Sequence, residues 1–206
     1  MKYYKVLGKG KTSCNGGTGK WNLPKDKKPG KWMPKIDNIT PCYQGYHLCR
    51  KEDLIYWLNE EIYEAEGKGK FVRHDNNKDV FPEARLLRKI EGWNEKTARL
   101  FAADCAEHVL HIFEKTYPSD DRPRKAIQVS KDFANGKIRA AARDAARDAA
   151  RDAAGAAAEA AAWSAAWSAA RDAVWSVAGA AAVARDAARG AERQWQTDKL
   201  MEYLNL

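Results

Sequence analysis

No stretch of this chain is apolar for long enough to cross a bilayer. The longest uncharged run in its C-terminal part, Ala173 to Ala184, falls well short of the ~20 residues a spanning helix needs. The opening Met-Lys-Tyr-Tyr-Lys lacks the apolar segment of a secretory signal, so the four cysteines (Cys14, Cys42, Cys49, Cys105) are expected to be reduced thiols of a cytoplasmic protein. Acids are scarce at the start: residues 1–35 carry ten lysines against one acid, Asp26, a net +9. The whole chain sums to +8, so the rest sums to −1 (+8 less +9). Any attraction to nucleic acid therefore belongs to the basic N-terminal segment.

Catalytic signatures are missing too. No Ser-His-Asp, HExxH, GxSxG or paired-carboxylate constellation is visible. Gly8-Lys9-Gly10-Lys11-Thr12 imitates a phosphate-binding loop, but Lys5 stands where its first glycine belongs, and Pro24 and Pro29 follow where a helix should. Cys14, Cys42, Cys49 and His47 depart from the spacing of common zinc sites, and His108 with His111 lacks acidic partners. The expectation is a protein without catalysis, cofactor or metal.

What is present falls into three zones. Residues 1–81 are basic, aromatic and rich in Gly and Pro. Tyr3–Leu7, Tyr43–Leu48, Glu61–Glu66 and Phe71–Arg73 read as strands, and Lys51–Asn59 as a helix: a small α+β domain. From Pro82 the apolar spacing turns helical: one helix over Ala84, Leu86, Leu87 and Ile90, a longer one after Asn94, and another between Asp120 or Asp121 and Asn135-Gly136. Residues 139–191 hold 28 alanines in 53 positions, with the tetrad Ala-Ala-Arg-Asp repeating from Ala141 to Asp152. Alanine's propensity forces helix, with breaks expected at Gly155, Gly179 and Gly190 and a short final helix from Trp195. The expected fold is mainly α: an alanine-rich helical bundle over 82–206, preceded by the small α+β unit over 1–81.

Two constellations suggest recognition. In Asp120-Asp121-Arg122-Pro123-Arg124-Lys125, acids suit the positive end of a helix, and Pro123 fixes Arg122 and Arg124 to grip a carboxylate or phosphate beside Asp121. Trp163, Trp167 and Trp175 spread over ~120° of one helix face, a ridge for packing or oligomerisation, or for stacking a base beside Arg171.

The run RLFAADCAEHVLHIFEKTYPSDDRPRKAI from Arg99 to Ile127, followed by the alanine-rich tail, resembles the immunity-protein family of bacterial toxin systems and their phages, over about residues 84–195. The resemblance implies a non-enzymatic protein that neutralises a partner, a toxin or defence component, by binding it. A second reading is an oligomer sequestering a nucleotide-like signalling molecule. The stretch Pro41–Cys49 through Ile62–Glu66 is similar to an uncharacterised domain of bacterial and phage proteins. It is also similar to ADP-ribosyltransferase-like folds, which would place His47, Tyr63 and Glu66 around NAD.

Overall fold

The computed structural model describes residues 1–8, 10, 12–14, 17–138 and 175–206. The chain divides into two compact units, Met1–Asn94 with Thr197–Leu206, and Glu95–Gln196.

The first unit contains β1 (Tyr3–Leu7), β2 (Tyr46–Leu48), β3 (Glu61–Lys68), β4 (Val72–His74), β5 (Lys78–Phe81) and β6 (Glu83–Lys89). They form two antiparallel three-stranded sheets, ordered β1-β3-β6 and β2-β5-β4. β1 is almost wholly apolar, and Tyr3, Tyr4, Val6 and Leu7 are all buried, as the aromatic and aliphatic composition of a pleated core strand requires. Tyr3 and Leu7 meet Trp21, Leu48, Tyr63, Phe81 and Leu86 in the core.

The expected mainly-α architecture is overturned, because this is a mixed α+β fold with six strands among the described residues. Two segments mislead the sequence reading. Residues 83–89 form a strand instead of a helix, with Ala84 and Leu86 buried at period two. Its charged residues alternate to match β3: Glu83 pairs with Lys68 at 3.3 Å, Arg85 with Glu66 at 2.8 Å and Arg88 with Glu64 at 2.6 Å. The second segment is β5, whose Lys78-Asp79 start hides a fully buried central strand.

Asp79 has no exposure and survives there because Arg50 approaches at 2.9 Å and Arg73 at 3.2 Å. Arg73 also grips buried Asp53 at 2.7 and 3.0 Å, so two acids and two cations close a neutral network. Asp53 sits in the 3₁₀ helix Lys51–Tyr56, tighter and shorter than the helix expected over 51–59, and accepts the N–H of Arg50.

Gly30, Met33 and Ile36 donate to Leu86, Ala84 and Pro82 along the open edge of β6. Donors every third residue are the period of a polyproline-II-like strand, and they seal an edge that would otherwise pair with another chain. Leu200, Met201 and Leu204 are buried in this unit.

The second unit contains α1 (Glu95–Thr116), α2 (Arg122–Ala134) and most of α3 (Trp175–Leu204), whose last residues belong to the first unit. Arg99 lies 5.0 Å from the Phe133 ring, Lys131 reaches Asp104 and Glu107, and Arg124 reaches Glu114, so α1 and α2 run antiparallel. Gly136, at φ +72°, ends α2 as the Asn-Gly pair predicts. α3 passes through Gly179 and Gly190, where breaks were expected, and absorbs the separate final helix: one glycine costs about 1 kcal/mol, too little to stop a run of alanines. Gly155 and the tetrads of 141–152 lie outside the described residues. No helix among the described residues is long and apolar enough to cross a membrane.

Candidate functional site

The α1–α2 hairpin carries the charged cluster that the sequence singles out. Asp121 occupies the N-cap of α2 without making a side-chain cap bond. The neighbouring Asp120 takes that role, its Oδ1 accepting the Arg122 N–H at 3.1 Å. The same carboxylate receives the Arg122 guanidinium on both oxygens, at 2.9 and 2.7 Å. Arg124 makes an equivalent two-pronged pair with Glu114 of α1, at 2.7 and 2.8 Å. These bonds hold Glu114 and Asp120 below the usual carboxylate range and raise Arg124. Asp121 pairs with Lys125 at 2.8 Å.

Arg122 and Arg124 are thus brought to one end of the hairpin, each already planar against a carboxylate. All of α2 escapes full burial, and on α1 Val109 and Ile112 are exposed, Ile112 at 62%. Farther along α1, His108 stacks on Trp195 of α3 with ring centres 3.7 Å apart and planes 4° from parallel, and its Nε2 lies 3.3 Å from Glu192. Of the tryptophan ridge, Trp175 is the first residue of α3, while Trp163, Trp167 and Arg171 lie outside the described residues.

The first unit holds a cavity of about 590 Å³ lined by Lys5, Trp21, His47, Trp57 and Lys78 among others. Lys5 Nζ donates to the His47 carbonyl at 3.2 Å and lies 5.1 Å from the Trp21 ring. Lys78 lies 5.1 Å from the Trp57 ring. His47 Nε2 accepts the Cys42 N–H at 3.0 Å. Burial, aided by the charges of Lys5 and Lys78, lowers the His47 pKa to about 4, so the ring is neutral.

Sequence reasoning missed this cavity, although a signal was available. That signal is the single lysine in the apolar run Tyr3-Tyr4-Lys5-Val6-Leu7: Tyr3, Tyr4, Val6 and Leu7 are all buried, and the half-buried Lys5 lines the cavity.

The arrangement expected of an ADP-ribosyltransferase does not assemble here. His47 lines the cavity; Tyr63 and Glu66 do not. Tyr63 is buried and donates to Glu61 at 3.0 Å, and Glu66 is held by Arg85. Nor do Cys14, Cys49 and His47 join Cys42 around a metal. Among the described residues, the one group with ligand atoms close together is Cys42, His74 and Asp75, within 4.8 Å of one another. The Lys78 ammonium stands 3.5 Å from both the Cys42 sulfur and the Asp75 carboxylate, a cation already in place.

Compared with known proteins, residues 88–203 match a family model described as Imm-5 like putative immunity protein, more than half of the chain. No curated protein and no solved structure matches.

Proposed function

The chain belongs to the Imm-5 like immunity protein family, and from that premise we propose that it neutralises a protein toxin by stoichiometric binding through the exposed face of α1 and α2. The observation that carries this reading is the extent of the match: residues 88–203 take in the whole hairpin and leave out the cavity of the first unit. A binding role also suits the chemistry. A guanidinium held flat by Asp120 or Glu114 has already lost its side-chain freedom, so a partner carboxylate meets it without the ordering cost of about 0.5–1.5 kcal/mol per mobile side chain. Exposed Ile112 and Val109 supply apolar contact on the same hairpin.

Co-expression with a panel of bacterial toxin domains tests the reading. The expected result is restored growth against one of them, with a complex of fixed stoichiometry by light scattering. Reversing both charges, Arg122→Glu with Arg124→Glu, should abolish protection while the helices remain folded by circular dichroism. Protection undiminished in that variant would dispose of the α1–α2 face.

A further inference from the structure

The described residues that line the cavity of the first unit all precede the family-matched segment. Among the described residues its wall contains two lysines and no aspartate or glutamate. The two cations are unlike. Lys78 has the Asp75 carboxylate at 3.5 Å. Lys5 contacts the His47 carbonyl and the Trp21 ring, and among the described residues no carboxylate forms an ion pair with it. Neighbouring Cys49 is no substitute counter-ion, because burial pushes its thiol up to about 12 and keeps it protonated. His47 is neutral and cannot help either.

An ammonium half-buried in a cavity wall without an anion is costly, and its desolvation already drives the Lys5 pKa below that of ordinary lysine. Stability alone would be better served at this position by an apolar chain of the same length. The carbonyl and the ring at Lys5 are the partners that keep such a group charged without cancelling its field. Val6, Met33, Ile36 and Leu48 supply an apolar wall beside it, and the volume lies within the ~300–1,000 Å³ range of small-molecule sites.

We propose that this cavity binds a small organic anion, its carboxylate or phosphate seated on the Lys5 ammonium and its apolar body against Val6, Met33, Ile36 and Leu48. The ligand supplies the negative charge that the protein withholds. A carboxylate and a phosphate share this chemistry, so matched pairs differing only in charge separate them.

The full chain is titrated with AMP and with adenosine, and with indole-3-acetate and with indole-3-acetamide, by calorimetry and thermal melting. At least one anion should bind saturably and raise the melting temperature, while its neutral counterpart does not. AMP binding identifies the phosphate class and indole-3-acetate binding the carboxylate class. Lys5→Met, which preserves length, should weaken that binding at least tenfold. The same variant should melt higher than the native protein when no ligand is present, because an unmatched, half-buried charge is gone. The proposal is overturned by failure of both anions to bind at millimolar concentration, by equal affinity in Lys5→Met, or by a lower melting temperature of the unliganded variant.

Discussion

In the first unit, Asp79 has no exposure and is shared by Arg50 and Arg73, with Asp53 completing the network. In the second, Arg124 and Glu114 meet at an equally short 2.7 Å, but with 60% and 30% of their side chains exposed. Near-identical geometry does different work in the two settings. A buried carboxylate cannot return to water when its partner leaves, so the network of the first unit fixes register between β4, β5 and the 3₁₀ helix. A surface pair is held against water that competes for the same donors, so it positions two guanidiniums at little gain in stability. One unit spends its charges on architecture, and the other displays them.

Breaking the buried network should give the largest effect. Asp79→Ala strips Arg50 of its carboxylate and leaves Arg73 with Asp53 alone, and should cost about 3–5 kcal/mol, read from amide exchange in β5. Next comes packing. A Cβ added at Gly67 of β3 would lie 2.4 Å from the Phe81 ring, which is itself buried against Tyr3. Gly67→Ala should therefore cost about 1–3 kcal/mol in denaturant unfolding, because a close-packed interior has no room to move that ring. If either substitution proves harmless, the first unit is not the rigid member of the pair.

The same contrast decides what could be read in the sequence. α1 and α2 were legible because an amphipathic helix writes its period, its flanking polar residues and its Asn-Gly stop into contiguous residues. β1 and β3 were legible for a similar reason, since their apolar residues are consecutive or alternate. β5 and β6 were not. Lys78-Asp79 reads as a polar turn until Arg50 and Arg73 are known to lie beside it, 29 and 6 residues away. Glu83–Lys89 is ambiguous between periods of two and 3.6 until its charges are matched to β3. Residues neutralised by distant partners carry no local signal. The Arg122–Asp120 pair, two residues apart, was within reach of inspection, whereas the partner of Arg124 lies ten residues back on another helix.

Lys131 is intermediate between the two regimes and sharpens the comparison. It is 21% exposed and bridges Asp104 at 3.0 Å and Glu107 at 2.6 Å. Burial opposes its charge, but the two carboxylates outweigh it and raise its pKa. A lysine whose folded pKa is raised contributes stability that is complete below the unfolded value of ~10.4 and is lost as pH rises through the higher folded value. Lys131→Met should cost about 1 kcal/mol at neutral pH, by amide exchange in α1 and α2. The gap between native and variant should close only in strongly alkaline solution. A gap that persisted unchanged in strongly alkaline solution would show that Lys131 acts through packing of its stem and not through charge.

The smallest effect on stability belongs to Arg124, and it is the most informative. Both partners of its pair stand in solvent, so Arg124→Ala should leave the denaturation midpoint where it is. Glu114, freed of the guanidinium that holds its pKa down, should titrate closer to an ordinary glutamate, which NMR of its side-chain carboxyl can follow. Toxin neutralisation should nevertheless fall sharply, because the planar fork lost from α2 is the part offered to the partner. Arg124→Lys keeps the charge but not the fork, and should recover little. A variant that unfolds as the native protein does yet fails to protect would locate function on the exposed pair. A variant that destabilises the hairpin would instead place Arg124 with Asp79, among the residues that hold the molecule together.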